Sequence, residues 1–551
     1  MFERYRSRNS SRVTPWFAVL ALGPFNRNTL SCLTPYCLAL SLFTFSLSST
    51  PCAANPLDAG NSRAGQSDKN IVLFITDDES PTLGCYGDLV ARTPAIDALA
   101  KEGTRFTNAF ATTASCSASR SVILSGLHNH MNGQYGHTHD FHKFSSYPDV
   151  VQLALPRLLA QAGYRTAKCG KYHVAPEAVF HFETTIPGNT RSPVQMANNC
   201  RKFIEAPNDS RPFFLYFATS DPHRGGGVDQ TSPLKLKPDL FGNKKGEKNY
   251  PGVKEVFYDP SDMQVPNFLP DTQETRSELA QYYQSVARID QGLAQLVKIL
   301  KDARVYNKTL IVFTADHGIA FSGGKTTVYE PGLRVPFIVR NPYQKNSGVV
   351  CNALLSHVDI TPSLLDFAGA LDAKENRPAK PIDADEFWKD RGQGMIENRR
   401  GPNRFERYHG RSWIPILGNA MAEHHPFIFA SHTFHEIQMY YPMRVYRDKQ
   451  YKLIWNIAYK LDYPFASDLW AASSWQAQFQ QGPNATYGQK TVAQYIERPR
   501  FELFDIAADP NETTNLALDP AYADTLTRYQ LKLKKIQHQL NDPWIMKWEY
   551  E

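Results

Sequence analysis

Three stretches of this chain are apolar for too long to face water on either side: residues 70–76 (NIVLFIT), 212–219 (PFFLYFAT) and 309–314 (TLIVFT). Side chains alternate between the two faces of a strand, so a run without polar alternation is covered on both faces. That is the mark of a mostly parallel sheet with helices on each side. Parallel neighbours need long crossovers, and the intervening sequence offers them. Residues 94–102 read as a helix capped by Thr93, opened by Pro94 and closed by Gly103. Residues 158–162 end at Gly163 and lead into a strand over 164–168. Over 274–302, Leu279, Tyr282, Val286, Ile289, Leu293, Leu296 and Leu300 recur at spacings of three and four, giving a long amphipathic helix that feeds the third run. Residues 335–339 add one more strand. The pattern predicts an α/β sandwich around a large, mostly parallel central sheet.

Past residue 420 the pattern changes. Residues 443–456 and 501–504 are strand-like with hairpin signals, and 522–540 form a polar helix. A smaller C-terminal α+β domain with antiparallel strands is expected over 421–551, behind a main domain over 69–420. Residues 225–270 and 371–411, rich in Pro, Gly, Asn and charge, read as surface excursions, the second also as a linker. With 551 residues, 42% hydrophobic and 21% charged, the chain is neither a disordered tail nor a polytopic membrane protein. Its formal charge is +6, but the first 54 residues hold five Arg and one Glu, and the remainder carries only +2. No nucleic-acid partner is implied. Those arginines precede an apolar stretch over 33–47 and the small residues Cys52-Ala53-Ala54. This reads as an export signal over 1–54 cleaved near Ala54, with an uncleaved anchor as the alternative. Three of the eight cysteines leave with it. Cys85, Cys116, Cys169, Cys200 and Cys351 remain, an odd number without zinc-finger spacing, which asks for one special thiol.

The chemistry sits just beyond each buried run. Residues 70–76 lead into Asp77-Asp78, 164–168 into Lys171 and His173, 212–219 into Asp221 and His223, and 309–314 into Asp316-His317. Ligands of open α/β sheets bind outside the carboxyl ends of the strands, so these groups should converge. Three carboxylates and a histidine without a thiolate favour calcium, magnesium or manganese over zinc. Clustered aspartates without a cation would instead be driven toward protonation. Lys171, His173, Arg120 and Lys325 suit a compact oxyanion, phosphate or sulfate.

Cys116-Ser117-Ala118-Ser119-Arg120, continued by Leu124-Ser125-Gly126, resembles the signature of the type I sulfatases, the formylglycine-dependent members of the alkaline-phosphatase-like superfamily. The resemblance implies that Cys116 is oxidised by a maturation enzyme to formylglycine, whose hydrated aldehyde is the nucleophile. It implies one calcium ion held by Asp77, Asp78, Asp316 and His317 together with the modified Cys116. Arg120 would orient the nucleophile, Lys171 and His173 would hold the sulfate and assist turnover, His223 would protonate the leaving group, and Lys325 would bind sulfate or the leaving group. Within the family, Asn132-Gly133-Gln134-Tyr135-Gly136, Gly170-Lys171-Tyr172-His173-Val174, Asp221-Pro222-His223-Arg224, Tyr441-Pro442-Met443-Arg444 and Asp542-Pro543-Trp544 are similar to the heparan N-sulfatase branch. By the same resemblance Asp221, Arg224, His435, Glu436 and Arg444 are candidates for sugar recognition.

The implied activity is release of sulfate from a sulfated glycan, the N-sulfate of terminal glucosamine in heparan- or heparin-like chains. The alternatives are an O-sulfatase on another polysaccharide, a phosphonate or phosphate ester hydrolase, and a non-catalytic glycan-binding protein with Cys116 unmodified. The implied partners are the glycan and the maturation enzyme, with a homodimer left open. The implied location is periplasmic or secreted in a bacterium, lysosomal or secreted in an animal. Three positions depart from the pattern: Ala118 stands where many members have Pro, His317 where the N-sulfatases have Asn, and Lys325 where they have Arg. The last exchange keeps the charge and loses bidentate contact. His128, His130, His137, His139 and His142 form a histidine-rich stretch that reads as a solvated or pocket-rim loop, with zinc binding as the alternative.

Overall fold

The computed structural model describes residues 69–550, apart from 140–142, 228–236, 239–240, 245, 247–248 and 390–404. The expected export signal, much of the 225–270 excursion and the middle of the 371–411 segment lie outside the described residues. Among the described residues no helix is long and apolar enough to cross a membrane.

The three apolar runs form β1 (Asn70–Thr76), β5 (Phe213–Ala218) and β6 (Thr309–Ala315), and every residue of each is buried. Between β1 and β5 come β2 (Thr104–Phe110), β3 (Arg165–Gly170) and β4 (Thr184–Ile186); β7 (Phe337–Arg340) and β8 (Val349–Ser356) come after β6. These eight strands make one sheet in the order β8-β2-β7-β6-β1-β5-β3-β4. All neighbours are parallel except β7, which runs antiparallel to both β2 and β6. The mostly parallel expectation is therefore met with one reversed strand. β2 and β8 escaped the sequence reading for a physical reason. Arg105, Thr107 and Asn108 interrupt the first, and the second is an edge strand whose outer residues Val349, Val350 and Asn352 are partly or fully exposed.

Helices α1 (Pro94–Lys101), α2 (Cys116–Ser125), α3 (Leu155–Gln161), α4 (Pro193–Glu205), α5 (Gln273–Asp302) and α6 (Ile360–Phe367) cover both faces. Val72, Phe74, Leu215, Phe217, Ile311 and Phe313 pack against α1, α4 and α5, while Ile71, Leu73, Ile75, Phe214, Leu310 and Val312 pack against α2, α3 and α6. The alternation along each strand thus fills two separate cores. The start of α1 corrects one expectation. Thr93 occupies the cap position, but its hydroxyl accepts from the Gly84 N–H and donates to Asp97. The first-turn N–H groups of Ala95 and Ile96 go instead to Asp290 of α5, at 2.9 and 2.8 Å, so the long helix caps the short one.

In the C-terminal part, β9 (Ile428–His432), β10 (Met443–Arg447), β11 (Tyr451–Asn456) and β12 (Phe501–Asp505) form an antiparallel sheet in sequence order. One face, with Ile428, Val445, Ile454 and Phe504, joins the same apolar core as Val72 and Phe74. The other, with Leu453, Trp455 and Leu503, is covered by α7 (Ala523–Gln539) through Tyr529, Leu533 and Ile536.

Candidate active site

The four strands β6, β1, β5 and β3 are consecutive, parallel and in register at their carboxyl ends: Thr76 pairs with Ala315, Ile75 with Ala218, and Ala218 with Gly170. The residues just beyond therefore emerge side by side. Gly170 makes this possible at the β3 end, since its φ is +96° and a Cβ there would lie 1.9 Å from the Ala218 carbonyl oxygen. Asp78, His173 and Thr326 also have positive φ, at 62°, 51° and 65°. Three non-glycine residues in the left-handed region within one site indicate backbone conformations held by their surroundings.

Cys116 is the first residue of α2 and is fully buried. The N-cap Ser115 does not cap the helix with its side chain; its hydroxyl pairs with His435 Nδ1 at 3.1 Å. The first-turn N–H groups are therefore left without a cap from that side chain, at a helix terminus of the kind that favours an oxyanion. The Cys116 Sγ lies 3.3 Å from His317 Nε2 and 3.7 Å from an Asp78 oxygen. Two overlapping groups, Asp78, Cys116 and His317 on one side and Asp77, Cys116 and Asp316 on the other, have ligand atoms within 4.8 Å of one another. Asp316 Oδ1 accepts from the Asp78 and His317 N–H groups at 3.0 and 2.9 Å, which fixes the two strand ends to each other.

Cations surround the carboxylates. Arg120 donates from Nε to Asp316 at 2.9 Å, from Nη2 to Asp77 at 3.2 Å, and from Nη1 to Tyr216 and the Lys171 carbonyl. Lys171 Nζ reaches Asp77 at 2.5 Å. Lys325 Nζ sits among Asp78 at 3.0 Å, Asp468 at 2.8 Å and His223 Nε2 at 3.0 Å. Burial pushes the Asp77 carboxyl up, but Lys171, His223 and Arg120 outweigh it and hold it well below its usual range. Asp316 goes the other way: burial and the neighbouring Asp77 raise it to about 6. Burial drives the Cys116 thiol well up, reinforced by the three aspartates against Lys171, so the unmodified side chain is a protonated thiol and a poor nucleophile. His223 is held well below its ordinary value by burial, then by Lys325 and Lys171.

Other sequence candidates are placed differently. Arg224 is fully buried; it donates to Glu278 of α5 at 2.7 Å and to the Ala320 carbonyl, and stacks on Phe241 and Phe321. Asp221 accepts from Arg288 at 2.7 and 2.9 Å and from Arg191 at 3.1 Å. Arg444 forms a bidentate pair with Asp542 at 2.6 and 3.0 Å and lies over Trp544, so the Tyr-Pro-Met-Arg and Asp-Pro-Trp segments bind each other. These three side chains have partners inside the protein and hold its loops together through them. His435 stands beside the nucleophile helix, and Glu436 lies 3.8 Å from His139.

Sequence reasoning missed Asp468, which holds Lys325, and Tyr216, which holds Arg120. Tyr216 sits in the buried run itself, where an aromatic reads as core. Asp468 comes from a short helix of the C-terminal part that no strand end announces.

A family model described as Sulfatase matches residues 69–370. The N-sulphoglucosamine sulphohydrolase of Homo sapiens is 35% identical over 534 residues, covering 94% of this chain and 96% of the human protein. An ulvan-active sulfatase of Formosa agariphila is 27% identical over 469 residues, covering 82% of this chain and 76% of that protein. A solved structure in complex with its substrate D-glucosamine-2-N,6-O-disulfate superposes with a TM-score of 0.57 at 19% identity, covering 86% of this chain and 98% of that one.

Proposed function

Because this chain belongs to the sulfatase family, we propose that it hydrolyses the N-sulfate of a terminal glucosamine in heparan- or heparin-like glycans. The likeness to the human N-sulphoglucosamine sulphohydrolase over 94% of the chain carries this reading, because it spans the C-terminal part that contributes Asp468 and His435 to the site as well as the signature around Cys116.

The buried donor set fits a metal. It is dominated by carboxylate oxygen with one imidazole, and Asp316 is raised by burial and then by the negative charge of Asp77, a repulsion that a hard dication relieves. Asp77, Asp78, Asp316 and His317 would hold calcium, which neutralises charge on sulfuryl oxygens, and Cys116 converted to formylglycine would supply a hydroxyl nucleophile. The remaining work falls to this chain's own side chains. Arg120 offsets the aspartates and, through its bonds to Asp77 and Asp316, fixes the strand ends around position 116. Lys171, His173 and Lys325 would face the sulfate oxygens as fixed donors, which need no reorganisation when charge develops there. His223, 3.0 Å from Lys325 and partly exposed, is placed to pass a proton to the departing nitrogen or oxygen when it takes its acid form. The same reading takes 69–420 as the catalytic part, 421–551 as the part that closes over it, and 1–54 as an export signal that sends the enzyme to its glycan.

The test is sulfate release from glucosamine carrying a single N-sulfate, compared with glucosamine carrying a single 6-O-sulfate. Release from the N-sulfated sugar is expected. Release from the O-sulfated sugar alone would overturn the substrate assignment and leave an O-sulfatase, and release of phosphate or phosphonate in preference to sulfate would overturn the reaction class.

A further inference from the structure

We propose that His137, His139 and His173 form a binding site for a divalent transition-metal ion of the zinc class at the entrance to the catalytic centre, separate from the carboxylate cluster around Cys116. His137 and His139 come from the histidine-rich stretch after the nucleophile helix, and His173 comes from the end of β3. The left-handed backbone at His173 turns its ring to 5.0 Å from that of His137 and 5.5 Å from that of His139. One ring nitrogen of each lies within 4.8 Å of the others, and His137 Nδ1 is 2.8 Å from His139 Nε2. Two nitrogens bound to one tetrahedral zinc at 2.0–2.1 Å stand roughly 3.4 Å apart, so small ring rotations convert this cluster into a coordination set.

The chemistry of the donors selects the ion. Three imidazoles suit zinc, copper or nickel and are poor ligands for calcium, whose oxygen donors lie deeper. The rings are also ready to ligate. Among the described residues His173 Nδ1 is a buried nitrogen without a hydrogen-bond partner, and His137 Nδ1 is paired with the His139 ring itself. Burial and neighbouring cationic or imidazole groups hold both residues well below the ordinary histidine value, so their lone pairs are free at neutral pH. Access is provided by His139, whose side chain is half exposed, and the Glu436 carboxylate 3.8 Å from its Nε2 offers a fourth, anionic ligand. A site of this composition leaves the buried cysteine free.

One consequence rests on the proposed sulfatase role of His173: held by a metal, its ring is withdrawn from the sulfate, so the ion competes with substrate. The experiment separates the two claims. The purified full chain, kept in excess calcium to fill the carboxylate cluster, is titrated with cobalt(II) by visible absorption and with zinc by calorimetry. The same titrations use His139→Ala and His139→Asn, and sulfate release is followed with and without zinc. The expected result is one zinc-class site with a tetrahedral cobalt spectrum, weakened by at least about tenfold in both variants. Both variants should keep wild-type turnover in the absence of zinc and lose its inhibition. Equal zinc affinity in wild type and variants, or no calcium-resistant cobalt spectrum, would overturn the site. Zinc binding that depends on His139 without inhibiting sulfate release would support the site and count against the catalytic role of His173.

Discussion

At the residue scale the site separates side chains that can meet substrate from those that hold them. Lys325 is a single buried ammonium serving Asp78, Asp468 and His223 at once, whereas Arg224 and Arg444 are forks closed onto carboxylates of the protein. His223 is held neutral in the free protein by burial and the two lysines, so its acid form grows as pH falls. For a leaving group that needs a proton, kcat/KM is therefore expected to rise toward acidic pH. His223→Ala should lower the rate about 10²–10⁴-fold with a glucosamine N-sulfate and flatten that rise, yet cost much less with an activated aryl sulfate. Steady-state kinetics on the two substrates across pH check this; equal losses would remove the acid role. Motif identity alone gave no sign that Arg224 and Arg444 are closed onto Glu278 and Asp542, because a sequence motif says which residue is present and not which way its side chain points.

At the element scale, the site was legible in the sequence wherever a fully buried strand ends in ionisable residues. The runs behind Asp77-Asp78, Asp221-His223 and Asp316-His317 are apolar on both faces because helices cover both, and that leaves a clear trace. The strands of the large sheet without such a trace, β2, β4 and β8, carry no candidate site residue. Asp468 and His435 reach the centre by tertiary packing of the C-terminal part, for which local pattern has no signal. The register of the strand ends also yields a prediction. Gly170→Ala adds a methyl group 1.9 Å from the Ala218 carbonyl at a φ of +96°, so the ends of β3 and β5 must separate. A loss of about 3 kcal/mol or more is expected in denaturant unfolding, with Lys171 displaced from Asp77. A variant as stable and active as the parent would contradict this register.

At the scale of the whole molecule, the large sheet and the C-terminal sheet share one apolar core, and buried charge ties the C-terminal part to itself. Arg444 and Asp542, both fully buried, join β10 to the loop after α7. Burial raises the Asp542 carboxyl, but Arg444 overcomes this and brings it down to about 2. A carboxyl lowered on folding contributes stability that is fully present above its unfolded value near 4 and is lost as pH falls toward 2. Asp542→Ala leaves Arg444 buried and unpaired, and thermal or denaturant unfolding at neutral pH should show a loss of about 3–5 kcal/mol. A change below about 1 kcal/mol would mean that the arginine finds water instead. The proposed sulfatase role requires that the scaffold present position 116 as a modified nucleophile at the convergence of four strand ends. The most direct measurement is peptide mass spectrometry of the segment containing Cys116, taken from preparations of graded sulfatase activity. An aldehyde is expected at Cys116, at none of the other four cysteines between residues 69 and 551, in a fraction that tracks activity; full activity with an intact Cys116 thiol would contradict the claim.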